Sequence, residues 1–199
     1  MNKSSKHQLR ISALGDARRV RESVGISDGF RPVSLTYNEA SRAILIAAEL
    51  LSPTSFEGCL FVRTSSESRY SKIPSASASL HFCDVVSSTT RPTAYCRVVK
   101  IVGPITAGEF SSEWLSIAAI DLDQRTVENI ITKEDLVLSE HWASGLIFAL
   151  HGVSADEAAL YCTCGLQKKG ETRIEHWLCR VRLAAKNIET ICRLEGIWF

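Results

Sequence analysis

From Val33 onward the chain alternates short apolar runs with clusters of Ser, Thr, Asn, Asp and Gly. Runs of this length, rich in Val, Ile and aromatic residues and bounded by turn formers, predict strands rather than helices. One pair of runs recurs three times. Residues 43–48 precede 59–63, residues 95–99 precede 114–118, and residues 160–164 precede 177–181. Each second run leads through a polar turn to an Ile-ending segment at 70–73, 127–130 or 188–191. A period of tens of residues predicts a repeat-built architecture.

The clearest strand is Trp177-Leu178-Cys179-Arg180-Val181-Arg182-Leu183. Alternation places Trp177, Cys179, Val181 and Leu183 on a core face and Leu178, Arg180 and Arg182 on a wetter one. A turn at 184–187 follows, with Asn187 suited to positive φ, and then a partner strand. The same hairpin pattern fits residues 115–122, a turn at 123–125, and residues 126–131. Ahead of the first and third pairs, Leu35 to Ile44 and Gly152 to Tyr161 each read as strand, polar turn, strand.

These segments resemble a blade of the TolB-like or WD-repeat-like β-propellers. The likeness lies in Ser154-x-Asp156, then Leu160-Tyr161, then Trp177-Leu178-x-Arg180-Val181-x-Leu183-Ala184-x-Lys186. It spans residues 33–199 in three imperfect copies. The resemblance implies that the Asp turn joins two inner strands. It also implies that the later hairpin closes on an Asp-Leu-x-Thr-Gly-Lys type of turn. Residues 182–187 stand there in the third copy, and Ile120-Asp121-Leu122-Asp123-Gln124-Arg125 in the middle one. Two departures stand out. Glu157 replaces the usual glycine after Asp156, and three copies are fewer than the four to eight blades that close a propeller. The expected fold is therefore all-β, with antiparallel repeat-built sheets in a partial or small propeller-like arrangement, an open β-sandwich being the alternative.

Residues 1–31 differ in character. They hold seven Lys/Arg against three Asp/Glu, a net of +4, while the remaining 16 bases and 19 acids give −3. They read as a basic N-terminal arm, separate from a β-repeat domain at 32–199. A short helix is predicted over 13–24, with Leu14, Ala17, Val20 and Val24 on one side. Arg18, Arg19 and Arg21 lack interleaved aromatics, which argues against nucleic acid. A net charge of +1 over 199 residues gives no general attraction to polyanions either. No apolar h-region follows the basic start, and no apolar run is long enough to span a bilayer. The expectation is a cytoplasmic protein without membrane association, its seven cysteines mostly reduced and buried.

Candidate chemistry is sparse. His141, His151 and Asp156 are the residues from which a hydrolase site would be drawn, although no Gly-x-Ser-x-Gly elbow is present. Cys162 and Cys164 share a strand face, and the next strand brings Cys179 and His176 near, which makes these four the set for a structural metal. Core packing of the thiols is the competing reading, and no cofactor motif is present. The chain ends in Ile197-Trp198-Phe199, and Trp198 and Phe199 would need to dock within the chain or on a neighbour. The function expected from the sequence is a non-catalytic β-repeat module for protein interaction or self-association as a homodimer. A hydrolase with loop-borne His and Asp, or a structural-metal protein, are the alternatives.

Overall fold

The structure, a computed structural model, describes residues 29–51, 56–77, 79–106 and 109–195. The described residues form twelve strands and no helix. Three four-stranded antiparallel sheets follow one another along the chain, each a simple up-and-down meander. Sheet 1 holds β1 (Arg31–Asn38), β2 (Ala43–Leu51), β3 (Phe56–Thr64) and β4 (Ser71–Pro74). Sheet 2 holds β5 (Leu80–Ser87), β6 (Thr93–Thr106), β7 (Glu109–Asp121) and β8 (Thr126–Thr132). Sheet 3 holds β9 (Trp142–Val153), β10 (Ala159–Lys168), β11 (Ile174–Arg182) and β12 (Asn187–Arg193). The all-β, repeat-built expectation is what the chain adopts, and the sheets do not close into a barrel.

The sheets stack with their first strands together. β5 packs against β1, β2 and β3, and β9 packs against β5, β6 and β7. Two apolar layers result. Between sheets 1 and 2 lie Ala43, Leu45, Ala47, Leu60 and Val62, facing Phe82, Val85, Cys96, Val98 and Ile120. Between sheets 2 and 3 lie Tyr95, Trp114, Ile117 and Ile131, with Ile147, Leu150, Leu160, Leu166 and Val181. Successive strand residues point to opposite faces, so sheet 2 is apolar on both sides, as a middle layer requires. The predicted faces of β11 hold: Cys179 and Val181 are fully buried, while Arg180 and Arg182 lie partly in solvent.

The sheets are also tied at their margins. Arg125, in the β7–β8 turn, bonds Glu67 and Ser71 of sheet 1. The link from β8 to β9 runs beside β12, where Val137 N donates to Lys186 O (2.8 Å) and Ile188 N donates to Val137 O (3.1 Å).

Three details differ from the sequence expectation. β5 has no counterpart in the sequence reading of the middle repeat, because a bulge at Asp84 (φ 51°) breaks its alternation. In the last hairpin the positive φ falls on Lys186 (51°), not Asn187, which already belongs to β12. The strand region begins at Arg31 rather than after it, and Phe30 is buried against Phe61 with ring centroids 5.4 Å apart. The predicted helix at 13–24, Trp198 and Phe199 lie outside the described residues.

Candidate functional site

The cleft with the densest chemistry lies beside the starts of β1 and β5, where sheets 1 and 2 meet. It has a volume of about 290 Å³, and its lining includes Arg31, Glu49, His81, Cys83, Asp84 and Arg97. Local backbone packing builds it. Gly58 pairs with Glu49 across the β2–β3 ladder. A Cβ on Gly58 would stand 2.4 Å from the Leu80 carbonyl oxygen, so only glycine lets β3 come this close to β5. That approach brings His81 onto Glu49, with Nδ1 3.2 Å from Oε2. Glu49 is 2% exposed, and Arg31 pairs with its other oxygen.

The electrostatics follow from burial. Loss of solvent lowers the His81 pKa to about 4, helped by the positive charges of Arg97 and Arg31. At neutral pH its imidazole is therefore uncharged, and Arg31 supplies the charge that balances Glu49. Arg97 Nε donates to Asp84 Oδ2 (2.6 Å), which completes a second ion pair in the cleft. Burial pushes the Cys83 thiol up to about 12, only partly opposed by Arg97. A protonated thiol beside a neutral imidazole is not an activated nucleophile. Each ion pair lies within one sheet, Arg31–Glu49 in sheet 1 and Arg97–Asp84 in sheet 2, and the contact between His81 and Glu49 is what joins the two sheets in the cleft.

A second polar joint lies where the three inner strands end. Asn38 Nδ2 donates to the carbonyls of Ser88 (3.0 Å), Arg91 (2.8 Å) and Thr93 (3.2 Å), tying sheet 1 to the β5–β6 turn. From the other side Glu157 reaches the same turn. Its carboxylate accepts from Ser88 Oγ, Thr90 N (3.1 Å), Thr90 Oγ1 (2.6 Å) and Arg91 Nε (2.5 Å). Burial alone would raise this carboxyl, but the bonds from Ser88, Thr90 and Arg91 outweigh it and hold the pKa at about 2. Glu157 has φ 55°, the conformation for which glycine is the usual choice. Its contacts across to sheet 2 offset the backbone cost of placing glutamate there.

The sequence candidates are distributed as follows. His141 is exposed in the turn before β9, while His151 lies near the other end of that 12-residue strand. At strand rise the two are roughly 30 Å apart. His151 Nε2 lies 2.6 Å from Thr163 Oγ1. Asp156 is held in its own turn by Ser154 Oγ (2.5 Å) and Ala158 N (3.1 Å), and these contacts keep its pKa low. These three residues do not gather in one pocket.

Cys162, Cys164 and Cys179 do come together, fully buried in the layer between sheets 2 and 3, with Cys162 and Cys164 sulfurs 3.4 Å apart. Their neighbours and burial raise the Cys164 pKa. His176 is paired with Gly165 and therefore lies on the opposite sheet face, 5.2 Å from the Phe148 ring. The four-ligand set is thus split by the sheet, and no group of three metal-ligating side chains with metal-site geometry exists among the described residues.

Sequence reasoning missed Glu49, His81 and Arg97 because they lie on three strands far apart in the chain. The signals within reach were a charge in an apolar run, Glu49, and a glycine in a strand, Gly58. The fold and these joints define an all-β, propeller-like stack braced by buried polar contacts. No protein-family model and no curated protein matches the chain.

Proposed function

We propose that this chain is a non-catalytic β-repeat module that binds protein, built on TolB-like or WD-repeat-like blades. The observation that carries this reading is a bare apolar strip on β1. Leu35 and Tyr37 are 40% and 53% exposed and, paired with Ile46 and Ile44, lie on the face turned away from sheet 2. Large apolar side chains at strand spacing on an open face mark an interaction surface. The wide separation of His141 from His151, and the local bonding of Asp156, leave the hydrolase alternative without a site. The seven cysteines are free thiols, the state a reducing compartment maintains, which supports a cytoplasmic location. No helix among the described residues is long and apolar enough to cross a membrane.

The test is a photo-crosslinking amino acid placed at position 37. Irradiation is expected to yield a covalent protein adduct, while the same probe at Gln124, on the outer β7–β8 turn, yields none. Equal labelling at both positions, or none at 37, would refute the proposal.

A further inference from the structure

We infer that the cleft where sheets 1 and 2 meet is a binding site for a small zwitterion with an aliphatic tail, the chemistry of a free aliphatic α-amino acid. The site is separate from Leu35 and Tyr37 and needs no protein partner. Strand alternation builds it. Arg97, Val99 and Ile101 stand at every second position of β6 and share one face of sheet 2. On β5, Cys83 pairs with Arg97 and His81 with Val99, which extends that face by one strand. Arg31, Val33 and Glu49 line the cleft from sheet 1.

The backbone at Asp84 distinguishes this cleft from a plain seam. Asp84 has φ 51°, in the left-handed region that favours glycine, and it sits in the bulge between Cys83 and Val86. Strain of this kind clusters at ligand clamps, and bulges re-aim the side chains they carry. Here the bulge sets the Asp84 carboxylate beside the Arg97 guanidinium, both mostly shielded from solvent. Their bond joins Nε to Oδ2 (2.6 Å), and the Nη donors of Arg97 and Oδ1 of Asp84 lie outside it. A positive and a negative group therefore stand side by side in the cleft, each with bonding capacity beyond the pair.

Charge selects the ligand. A simple anion brought to Arg97 meets Asp84 and Glu49, and a simple cation brought to Asp84 meets Arg97 and Arg31. A molecule with an ammonium and a carboxylate on one carbon offers each sign to its opposite: carboxylate to the Arg97 Nη donors, ammonium to Asp84 Oδ1. His81, uncharged at neutral pH, leaves this balance unaltered. Beside the pair the wall is apolar. Val99 and Ile101 are buried, and Val33, also in the lining, is 40% exposed. An aliphatic tail laid on these branched side chains removes their remaining apolar surface from water. Ligand cavities run from about 300 to 1,000 Å³. At about 290 Å³ this one suits a single amino acid, not a peptide or a nucleotide.

Calorimetric titration of the purified full chain with L-leucine tests this, and saturable binding is expected. N-acetyl-L-leucine lacks the ammonium and L-leucinamide lacks the carboxylate. Each is expected to bind about tenfold more weakly or worse, the effect of losing a charged hydrogen bond. Asp84→Gly removes the carboxylate from a φ that glycine adopts freely. It is expected to keep its thermal midpoint and to bind leucine about tenfold more weakly. If that variant loses its native circular dichroism, Arg97→Gln is read in its place. Absence of binding heat with leucine, valine and isoleucine at millimolar concentration would overturn the site. Equal binding of leucine and its N-acetyl form would overturn it too, because the ammonium would then meet no partner. Undiminished binding by a folded Asp84→Gly would place the ligand elsewhere and overturn it as well.

Discussion

The two layers between sheets are built from different materials. The layer between sheets 1 and 2 is lined by small and aliphatic side chains and braced beside it by buried charge. Ala43, Ala47, Ala94 and Ala118 allow a close approach, and Glu49 and His81 stand beside them almost without solvent. The layer between sheets 2 and 3 is filled by bulk. Trp114 is 2% exposed, its indole N–H satisfied by the Ser116 carbonyl (3.0 Å), and the same layer holds aliphatic residues and three thiols. The difference teaches how one repeat can be joined twice by separate means. Where side chains are small, the close backbone approach at Gly58 and the contact of His81 with Glu49 join the sheets. Where they are large, dispersion and apolar burial do.

The largest expected effect breaks the second layer alone. Trp114→Ala opens a cavity beneath β7 and is expected to cost about 3–5 kcal/mol, read as a lower urea midpoint. If that layer holds sheet 3 in place, amide exchange should accelerate in β10 and β11 more than in β2 and β3. Equal acceleration in all three sheets would mean that the two layers do not act separately.

The next effect separates the layers by pH. Above pH 6.5 His81 is neutral whether the chain is folded or unfolded, and it adds no pH dependence. Between pH 6.5 and about 4 the unfolded chain takes up a proton that the folded chain refuses, so stability falls as pH falls. Below about 4 the loss levels off at about 3 kcal/mol. Denaturation midpoints at pH 7 and pH 5 should therefore differ in the native protein and converge in His81→Gln. The Glu157 carboxyl acts in a lower window: its contribution is complete above about 4.5 and is lost as pH falls toward about 2. A pH 7 to pH 5 slope unchanged in His81→Gln would remove the histidine from the first joint.

The smallest effect concerns the turn that faces the β5–β6 turn from sheet 3. Glu157→Ala loses the bonds to Ser88, Thr90 and Arg91 and keeps the strained φ of 55°. Glu157→Gly loses the same bonds and relieves the strain. The glycine variant is expected to be the more stable of the two by about 1 kcal/mol in thermal unfolding. The reverse order would show that the backbone cost at this position is negligible.

Much of the fold was legible because its signals are local. Alternation at 177–183, the turn at 123–125 and the triple recurrence of strand pairs all lie within short windows, and they locate most strands of all three sheets. β5 was not legible, because the bulge at Asp84 interrupts the alternation on which such a reading depends. Of the candidate chemistry, the thiol trio was legible from Cys-x-Cys on one strand and Cys179 on the next. The hydrolase set did not assemble, because proximity along an extended strand becomes distance in space: His141 and His151 flank one strand's length.

The sequence by itself determined that this is an all-β chain with repeated antiparallel meanders, since strand period and turn chemistry act over a few residues. It also determined which face of β11 is apolar. Only the tertiary structure decided that Glu49 meets His81, that Asn38 and Glu157 converge on the turn between β5 and β6, and that β1 keeps a bare apolar face. Those facts depend on how sheets stack. Stacking is set by side-chain volume and backbone approach between residues dozens of positions apart, such as Gly58 and Leu80, and no local pattern encodes that approach.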